Sequence, residues 1–168
     1  MKTRYLIVIL IAGIIIAVMS AIGLFKGPGK GDAAPAFVLS GLSGSEASLE
    51  KERGKLVVLH FWATWCGTCL SELPVIEKLY NEFHDKGVAV VTVLVDDNGA
   101  MLAPLKERMN FTYPVYPDPD GLVADSYQVW GVPETFIIGP DGVILDRTRS
   151  AVDYPSFKKK LEGHLSKK

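Results

Sequence analysis

A chain of 168 residues is long enough for one folded domain of ordinary size with an additional segment at one end. Its 18 basic and 19 acidic residues give a formal net charge of −1, which excludes the strongly basic surface that nucleic-acid binding requires. We therefore predict no nucleic-acid partner and interpret the lysines at 158–160 as part of a solvated helix face.

The N-terminal segment contains an uncharged apolar run from Tyr5 to Phe25. As a helix rising about 1.5 Å per residue, a run of this length covers the ~30 Å hydrocarbon core of a bilayer. It predicts a single-pass transmembrane anchor at residues 5–25, with the N-terminus in the cytoplasm because Lys2 and Arg4 precede it. The alternative is a cleaved signal peptide, whose apolar region is usually shorter, at about 7 to 15 residues.

A segment rich in glycine, proline and alanine, KGPGKGDAAPA at residues 26–36, follows this run. It has no apolar periodicity, which predicts a flexible linker. The folded domain is predicted over residues 37–168. Short apolar pieces broken by Gly-Ser turns at its start predict a small β-hairpin.

Two apolar runs predict strands buried in a parallel sheet, LVVLHF at 56–61 and VAVVTVLV at 88–95. Between them, apolar residues recur at spacings of three and four from Leu73 to Phe83, which predicts an amphipathic helix. Strand, helix and strand together predict a right-handed crossover unit.

The remainder of the chain predicts further helices and one hairpin. A second helix is predicted over 99–109, after Asp97 and Asn98 as capping residues, and a short helix ends at Tyr127. The strands TFII and VILDR, joined by the turn GPDG, predict an antiparallel hairpin. A last helix is predicted over 155–165.

Both cysteines of the chain, Cys66 and Cys69, follow the first buried strand and lie at the predicted start of a helix. Unpaired backbone N–H groups and the helix dipole at that end stabilise a thiolate. We therefore predict that Cys66 is a nucleophile and that Cys69 resolves the mixed disulfide it forms. A structural disulfide is one alternative, although such bonds more often join distant elements. A metal site is the other and needs two to four soft or imidazole ligands.

The histidines do not favour a metal site. His60, His84 and His164 are not spaced to complete a tetrahedral ligand set with the cysteines. We interpret His60, in a strand, and His84, late in a helix, as packed or solvated side chains. No metal and no cofactor is predicted.

The stretch FWATWCGTC resembles the active-site stretch of the thioredoxin superfamily. More narrowly, it is similar to that of the membrane-anchored thiol-disulfide oxidoreductases of the TlpA, ResA and CcmG (DsbE) type. APAFVLSGLSGSEASL is similar to that group's N-terminal hairpin, GVPETF to its cis-proline segment and GPDGVI to the following turn. The resemblance covers nearly the whole chain after the apolar run. It implies an α/β, thioredoxin-like fold with a central mixed sheet flanked by helices and an N-terminal β-hairpin extension.

The resemblance also implies a substrate groove beside the dithiol. Pro133 is expected to be the cis-proline, which brings Val132 next to Cys66, where an extended substrate pairs as an added strand. Trp65 is expected to form an apolar lip, with a core tryptophan as the alternative.

Several neighbours of the cysteines are expected to tune their chemistry. Gly67 and Thr68, between the cysteines, are expected to contact the substrate and to influence the redox potential. Glu72 lies three positions after the second cysteine on the same helix face, where a carboxylate opposes thiolate formation and offers a proton acceptor. Glu134, after the expected cis-proline, is expected to line the substrate groove. For both glutamates the alternative is a solvated charge.

Pro74 lies within the predicted helix that starts at the cysteines. It removes the backbone hydrogen bond to Leu70, which predicts a kink after the first turns. This position is consistent with the fold that the resemblance implies.

The resemblance implies an extracytoplasmic dithiol reductase anchored in the cytoplasmic membrane that acts on protein disulfides. Its most specific expected task is to reduce the CxxCH cysteines of apocytochrome c before haem attachment. A membrane thiol transporter of the DsbD or CcdA type is the expected reductant. One alternative is a general disulfide oxidase or isomerase. The other is a copper-binding or copper-delivery module, which usually has three residues between its cysteines and a distant histidine.

Overall fold

The centre of the fold is a five-stranded mixed sheet, seen in a computed structural model that describes residues 2–24, 27–41, 44–97 and 99–166. Its strands are β3 (Leu56–Trp62), β4 (Val88–Val95), β5 (Val115–Asp118), β6 (Glu134–Ile138) and β7 (Ile144–Thr148). Their spatial order is β5-β4-β3-β6-β7. Strands β3, β4 and β5 are parallel, whereas β6 is antiparallel to β3 and β7 to β6. The predicted central mixed sheet is confirmed.

The two valine-rich runs form the middle of this sheet. Every residue of β3 is buried, and in β4 only Ala89 is partly exposed. The predicted bounds of β4 are confirmed, and β3 continues through Trp62. Strands with helices or loops on both faces have no water-facing side, which is why these sequences do not alternate with polar residues.

Helices and a small hairpin cover the two faces of the sheet. The elements are β1 (Val38–Ser40), β2 (Glu46–Ser48), α2 (Gly67–Phe83), α3 (Leu102–Met109), α4 (Leu122–Ser126) and α5 (Tyr154–Leu165). Helices α2, α3 and α5 pack on one face, with Leu56, Val58 and Trp62 of β3. The β1–β2 hairpin and α4 pack on the other, with Val57, Leu59 and Phe61. Both predicted hairpins and the predicted last helix are confirmed.

Helix α3 begins later than predicted, at Leu102 rather than at Gly99. The carboxylate of Asp97 accepts a hydrogen bond of 2.8 Å from the backbone N–H of Gly99, so it caps the turn that precedes the helix. The N-cap residue is Met101, without a side-chain cap. Asn98, the other predicted capping residue, lies outside the described residues.

Part of the predicted linker is bonded to the domain. The backbone N–H of Gly31 donates to Ile144 at 2.8 Å, the N–H of Ile144 donates to Asp32 at 2.9 Å, and Ala34 donates to Gly142 at 2.9 Å. Residues 31–34 therefore extend the edge of the sheet at β7, which corrects the prediction of a linker over the whole of 26–36. The composition of this segment indicated a coil but not its pairing partner.

At the N-terminus, α1 (Lys2–Leu24) is described along its backbone, and by its side chains at Tyr5 and residues 7–18. Among the described residues, no helix is long and apolar enough to cross a membrane. Phe25, the last residue of the predicted anchor, and Lys26, the first of the predicted linker, lie outside the described residues. The anchor stays a prediction.

Candidate active site

Cys66 and Cys69 form a disulfide at the N-terminus of α2, so the structure holds the oxidised form of the pair. Cys66 is the N-cap residue, and its Sγ accepts a hydrogen bond of 3.1 Å from the backbone N–H of Cys69. A negative charge on Sγ of Cys66 would meet the unpaired N–H groups and positive dipole end of the helix. The predicted position of the pair at a helix start is confirmed.

The two sulfur atoms differ in access. Cys66 retains 8% of its surface, whereas Cys69 is completely buried. An incoming thiolate or a substrate disulfide therefore meets Cys66 first. This difference agrees with the predicted order of nucleophile and resolving thiol, which stays a prediction.

The loop before β6 lies against the disulfide. The Val132–Pro133 peptide bond is cis, and the carbonyl oxygen of Val132 lies 3.6 Å from Sγ of Cys66. Strand register accounts for this proximity, because Phe61 of β3 pairs with Glu134, so the end of β3 and the start of β6 share one sheet edge. The cis-proline is where the resemblance implied, and its role toward a substrate stays a prediction.

Two cavities flank the dithiol. One, of about 330 Å³, is lined by Trp65, Met101 and Arg108 together with neighbouring residues of α3. The other, of about 410 Å³, is lined by Trp130, Val132 and their neighbours in the cis-proline loop. Trp65 is 67% exposed and Trp130 78% exposed, which rules out the alternative of a core position for Trp65.

Gly67 and Thr68 occupy the surface between the cysteines, and both are exposed. Their position allows contact with a bound substrate. Pro74 lies inside α2 as predicted. The roles of Gly67 and Thr68 in binding and redox potential stay predictions.

Glu72 is buried behind the dithiol and retains 3% of its surface. Its Oε2 accepts a hydrogen bond of 2.7 Å from the backbone N–H of Val152, in the loop before α5. Burial raises the pKa of Glu72 to about 7, although the Val152 bond acts in the opposite direction. The alternative of a solvated helix charge is therefore wrong for Glu72.

His60 faces Glu72 from the central strand. Its Nε2 lies 3.6 Å from Oε1 of Glu72, and its Nδ1 lies 2.9 Å from Oγ1 of Thr135. The ring is completely buried, which lowers the pKa of His60 to about 3 and keeps it neutral. Sequence reasoning placed His60 correctly in a packed strand but missed its proximity to Glu72.

A signal for this pair exists in the sequence. His60 shares a face of β3 with Val58 and Trp62, because side chains alternate along a strand, and this face packs against α2. Glu72 belongs to the apolar stripe of α2, among Cys69 and Leu73. A glutamate within a buried helix stripe and a histidine within a buried strand of the same crossover unit are candidates for contact.

Glu134 lines the cavity of the cis-proline loop, and its carboxylate is held by two arginines. Its side chain is 3% exposed, and its Oε1 accepts from Nε of Arg147 at 2.5 Å and from Nε of Arg149 at 3.2 Å. Arg147 also donates to the backbone carbonyls of Pro28 and Gln128, at 2.7 and 2.9 Å. The alternative of a solvated charge is therefore wrong for Glu134, and its contact with a substrate stays a prediction.

His84, at the C-terminal end of α2, has a local structural contact. His84 stacks on Tyr80 with ring centroids 4.7 Å apart, and its Nδ1 lies 2.8 Å from the Tyr80 carbonyl oxygen. Within the described ranges, no group of three or more His, Cys, Asp or Glu side chains is placed to hold a metal ion.

Residues 30–147 match the model of the AhpC/TSA family. The chain belongs to this family. It is 34% identical over 169 residues to the thiol-disulfide oxidoreductase ResA of Oceanobacillus iheyensis, covering 96% of this chain and 84% of that relative. It is 37% identical over 136 residues to the thioredoxin-like protein YneN of Bacillus subtilis, covering 79% of each chain.

Solved structures agree with this assignment. A Chlorobium tepidum structure assigned as thiol:disulfide interchange protein DsbE has a TM-score of 0.76 and 29% identity. The match covers 82% of this chain and 99% of that structure. This member of the AhpC/TSA family is a thiol-disulfide oxidoreductase of the ResA/DsbE type with a thioredoxin-like fold, which confirms the predicted enzyme class and fold.

Proposed function

We propose that this oxidoreductase is an extracytoplasmic dithiol reductase that acts on the CxxCH cysteines of apocytochrome c. The observation that carries the reductase direction is Glu72, a carboxyl group buried behind Cys69 with its pKa raised to about 7 by burial. A strong oxidant depends on a greatly stabilised thiolate, and a nearby carboxylate opposes such stabilisation. Glu72 alone carries this argument, because Arg147 and Arg149 neutralise Glu134.

The reaction proceeds in two exchanges. In the reduced enzyme, the Cys66 thiolate attacks one sulfur of the substrate disulfide; a new S–S bond forms, and the other substrate sulfur leaves as a thiolate that takes a proton from water. The Cys69 thiol then gives its proton to the Glu72 carboxylate and attacks Sγ of Cys66. The second substrate sulfur leaves as a thiolate. The enzyme dithiol loses two electrons, and the substrate disulfide gains them.

The surface around Cys66 supports a protein substrate rather than a small one. Trp65, Met101 and Trp130 are 67%, 61% and 78% exposed, and they line the two cavities beside the dithiol. Large exposed apolar side chains of this kind mark protein-binding surfaces and often carry much of the binding energy.

The choice of apocytochrome c rests on the similarity of GVPETF to the cytochrome maturation group. The name of the ResA relative states a thiol-disulfide activity, which is the reaction that this substrate proposal requires. In cells that lack the protein, we expect a loss of haem-stained c-type cytochromes that added dithiothreitol restores. Complementation by a Cys66→Ser variant should fail, whereas the wild-type chain should succeed. Normal cytochrome c levels in the deletion strain would overturn the substrate proposal.

The direction of electron flow has its own test. We expect maleimide trapping in intact cells to find Cys66 and Cys69 mostly as free thiols, and to find them oxidised when the membrane thiol transporter is removed. The transporter of the DsbD or CcdA type is part of the proposal as the source of electrons. A largely oxidised pair in unperturbed cells would make the protein an oxidase.

The extracytoplasmic location is supported by the uncharged run from Tyr5 to Phe25 after a basic N-terminus. The alignment to the ResA relative also covers 96% of this chain, so it includes most of that run. An alkaline phosphatase fusion after Lys30 should be active, and the same fusion without residues 1–25 should be inactive. Activity of a cytoplasmic reporter at Lys30, with an inactive phosphatase, would reverse the topology.

A disulfide isomerase is the second candidate. A Bacteroides thetaiotaomicron structure assigned as a protein disulfide isomerase has a TM-score of 0.76 and 26% identity, over 84% of this chain and 95% of that one. Reactivation of scrambled ribonuclease without added reductant would favour this candidate over the reductase.

A further inference from the structure

Of the buried polar atoms that have no hydrogen-bond partner within the described part of the chain, two face each other behind the dithiol. They are Nε2 of His60 and Oε1 of Glu72, and they face each other across 3.6 Å. The separation is slightly longer than a hydrogen bond. Unsatisfied polar atoms are uncommon in protein cores and cost free energy, so a facing pair of them requires an explanation.

The opposite atom of each group is fixed. Nδ1 of His60 lies 2.9 Å from Oγ1 of Thr135 on β6, and Oε2 of Glu72 accepts from the N–H of Val152 at 2.7 Å. The imidazole and the carboxyl group are thus oriented toward each other from separate elements of the fold. A shift of less than about 1 Å would bring the facing atoms within hydrogen-bond distance.

Thr135 can determine which ring nitrogen of His60 carries the proton. If the Thr135 hydroxyl donates to Nδ1, the single proton of the neutral ring lies on Nε2, the nitrogen that faces Glu72. A neutral N–H donor in this place satisfies a buried carboxylate without adding a second buried charge. Bonds to the ionised form of a carboxyl group favour ionisation.

We propose that His60 is a positioning residue whose Nε2–H closes on the Glu72 carboxylate and sets the pH at which Glu72 accepts the Cys69 proton. Thr135 holds His60 in the required tautomer. The inference rests on the thiol-disulfide exchange reaction and not on the apocytochrome substrate. The proton moves only from Sγ of Cys69 to Glu72, and His60 keeps its own.

Among the residues that the structure describes, few other titratable groups lie near Glu72. Cys69 lies one turn earlier on α2, and Val152 and Thr135 contribute only a backbone N–H and a hydroxyl group. Burial, then the charges of Glu77 and Glu72, raise the pKa of Tyr113 far above its usual value, so its hydroxyl stays protonated during the reaction. The pH response of Glu72 therefore reports on His60 and Cys69.

Wild-type protein provides the first test, which needs no variant. In ¹⁵N and ¹³C NMR of the reduced, full-length chain between pH 5 and 9, we expect a neutral His60 throughout, with its proton on Nε2 once Glu72 is ionised. An imidazolium signal in this range, or a proton on Nδ1 beside ionised Glu72, would overturn the proposal.

The second test separates the two thiol steps with a small aromatic disulfide, 5,5′-dithiobis(2-nitrobenzoate). Stopped-flow absorbance gives a first release of thionitrobenzoate by Cys66 and a second by Cys69. In His60→Phe we expect the pKa of Glu72 to rise by about one unit, because one hydrogen bond to a charged group is lost. The second release should then slow about fivefold at pH 7 and its pH midpoint should move upward. The first release should not change.

Matched variants complete this test. His60→Asn retains an amide donor and should restore most of the rate of the second release. Thr135→Val should slow the second release, as His60→Phe does. Val58→Ala, on the same face of β3, is the control for loss of packing and should leave the pH midpoint unchanged. If the pH midpoint of the second release is unchanged in a folded His60→Phe protein, His60 contributes only packing and the proposal is wrong.

Discussion

Nε2 of His60 lies 3.6 Å from Oε1 of Glu72 in the core between β3 and α2. Burial lowers the pKa of His60 to about 3 and raises the pKa of Glu72 to about 7. The folded protein therefore holds a neutral imidazole and a neutral carboxyl group between these pH values. In the unfolded chain, with ordinary pKa values of 6.5 and 4.5, both groups are charged between pH 4.5 and 6.5.

This pair gives stability an unusual pH dependence. Between pH 4.5 and 6.5, the folded pair and the unfolded pair each bind one proton, so their contributions to the slope of stability with pH cancel. Below pH 4.5 the unfolded chain binds one more proton, and stability falls toward pH 3. Above pH 6.5 the folded protein binds one more proton than the unfolded chain, and stability falls as the pH rises through about 7.

Single substitutions should reveal the two opposing pH dependences of the free energy of unfolding. In Glu72→Gln only His60 remains, so we expect stability to decrease as the pH falls from 6.5 toward 3. In His60→Phe only Glu72 remains, so stability should decrease as the pH rises from 4.5 to about 7 and beyond. Between pH 4.5 and 6.5, where the contributions of this pair cancel in the wild type, each slope should approach about 1.4 kcal/mol per pH unit. Denaturant unfolding of the oxidised proteins measures both.

Val58→Ala is the control for this comparison, because it removes buried volume from the same face of β3 without a titratable group. It should lower stability by a similar amount at every pH. Slopes of the same sign in Glu72→Gln and His60→Phe would contradict the neutral pair.

Cys69→Ser should trap a mixed disulfide with a protein substrate, and Cys66→Ser should not. The reason is access, since Cys66 retains 8% of its surface and Cys69 is completely buried. Without Cys69, the bond from Cys66 to the substrate cannot be resolved from within the enzyme. Non-reducing electrophoresis after incubation of the reduced variants with insulin, whose disulfides are intact, measures the adduct. Equal trapping by both variants would reverse the order of the thiols.

Arg147 and Arg149 offer a matched pair of substitutions at the same carboxylate, Glu134. The side chain of Arg147 is 8% exposed and that of Arg149 is 65% exposed. Removing one partner of a buried ion pair costs about 3 to 5 kcal/mol, whereas an exposed pair contributes about 0 to 1 kcal/mol. Arg147→Met should therefore lower the free energy of unfolding several times more than Arg149→Met. Similar losses of unfolding free energy in the two variants, measured in urea at pH 7, would show that burial does not determine how much each arginine stabilises the protein.

The sequence predicted the features that depend on local pattern. The valine run defined β4, and the position of Cys66 after a buried strand defined the start of α2. The start of α3 was wrong because a side-chain cap on the preceding turn looks the same in sequence as a helix cap.

What the sequence did not predict depends on contacts between distant elements. Glu134 lines the cavity of the cis-proline loop, but its pairing with Arg147 on the neighbouring strand was not predicted. His60 and Glu72 meet because the crossover places α2 on one face of β3. Neither the periodicity of apolar residues nor the spacing of residues along the sequence determines which side chains then face each other. The partners of buried polar groups are set by the tertiary fold.

Trp65→Ala should weaken the reaction with protein disulfides while leaving the reaction with a small disulfide nearly unchanged. Trp65 is 67% exposed beside Cys66 and lines a cavity with Met101, so it is placed to contact a polypeptide on the surface around the dithiol. Loss of an exposed aromatic anchor costs about 1 to 2 kcal/mol of binding, which is a decrease in kcat/KM of about tenfold. Insulin reduction and 5,5′-dithiobis(2-nitrobenzoate) reduction measure the two reactions.

Leu122→Ala is the control for the Trp65→Ala comparison, because Leu122 is 69% exposed but lines neither of the two cavities beside the dithiol. An equal decrease for both disulfides would show that Trp65 acts on the chemistry of Cys66 instead of on substrate binding.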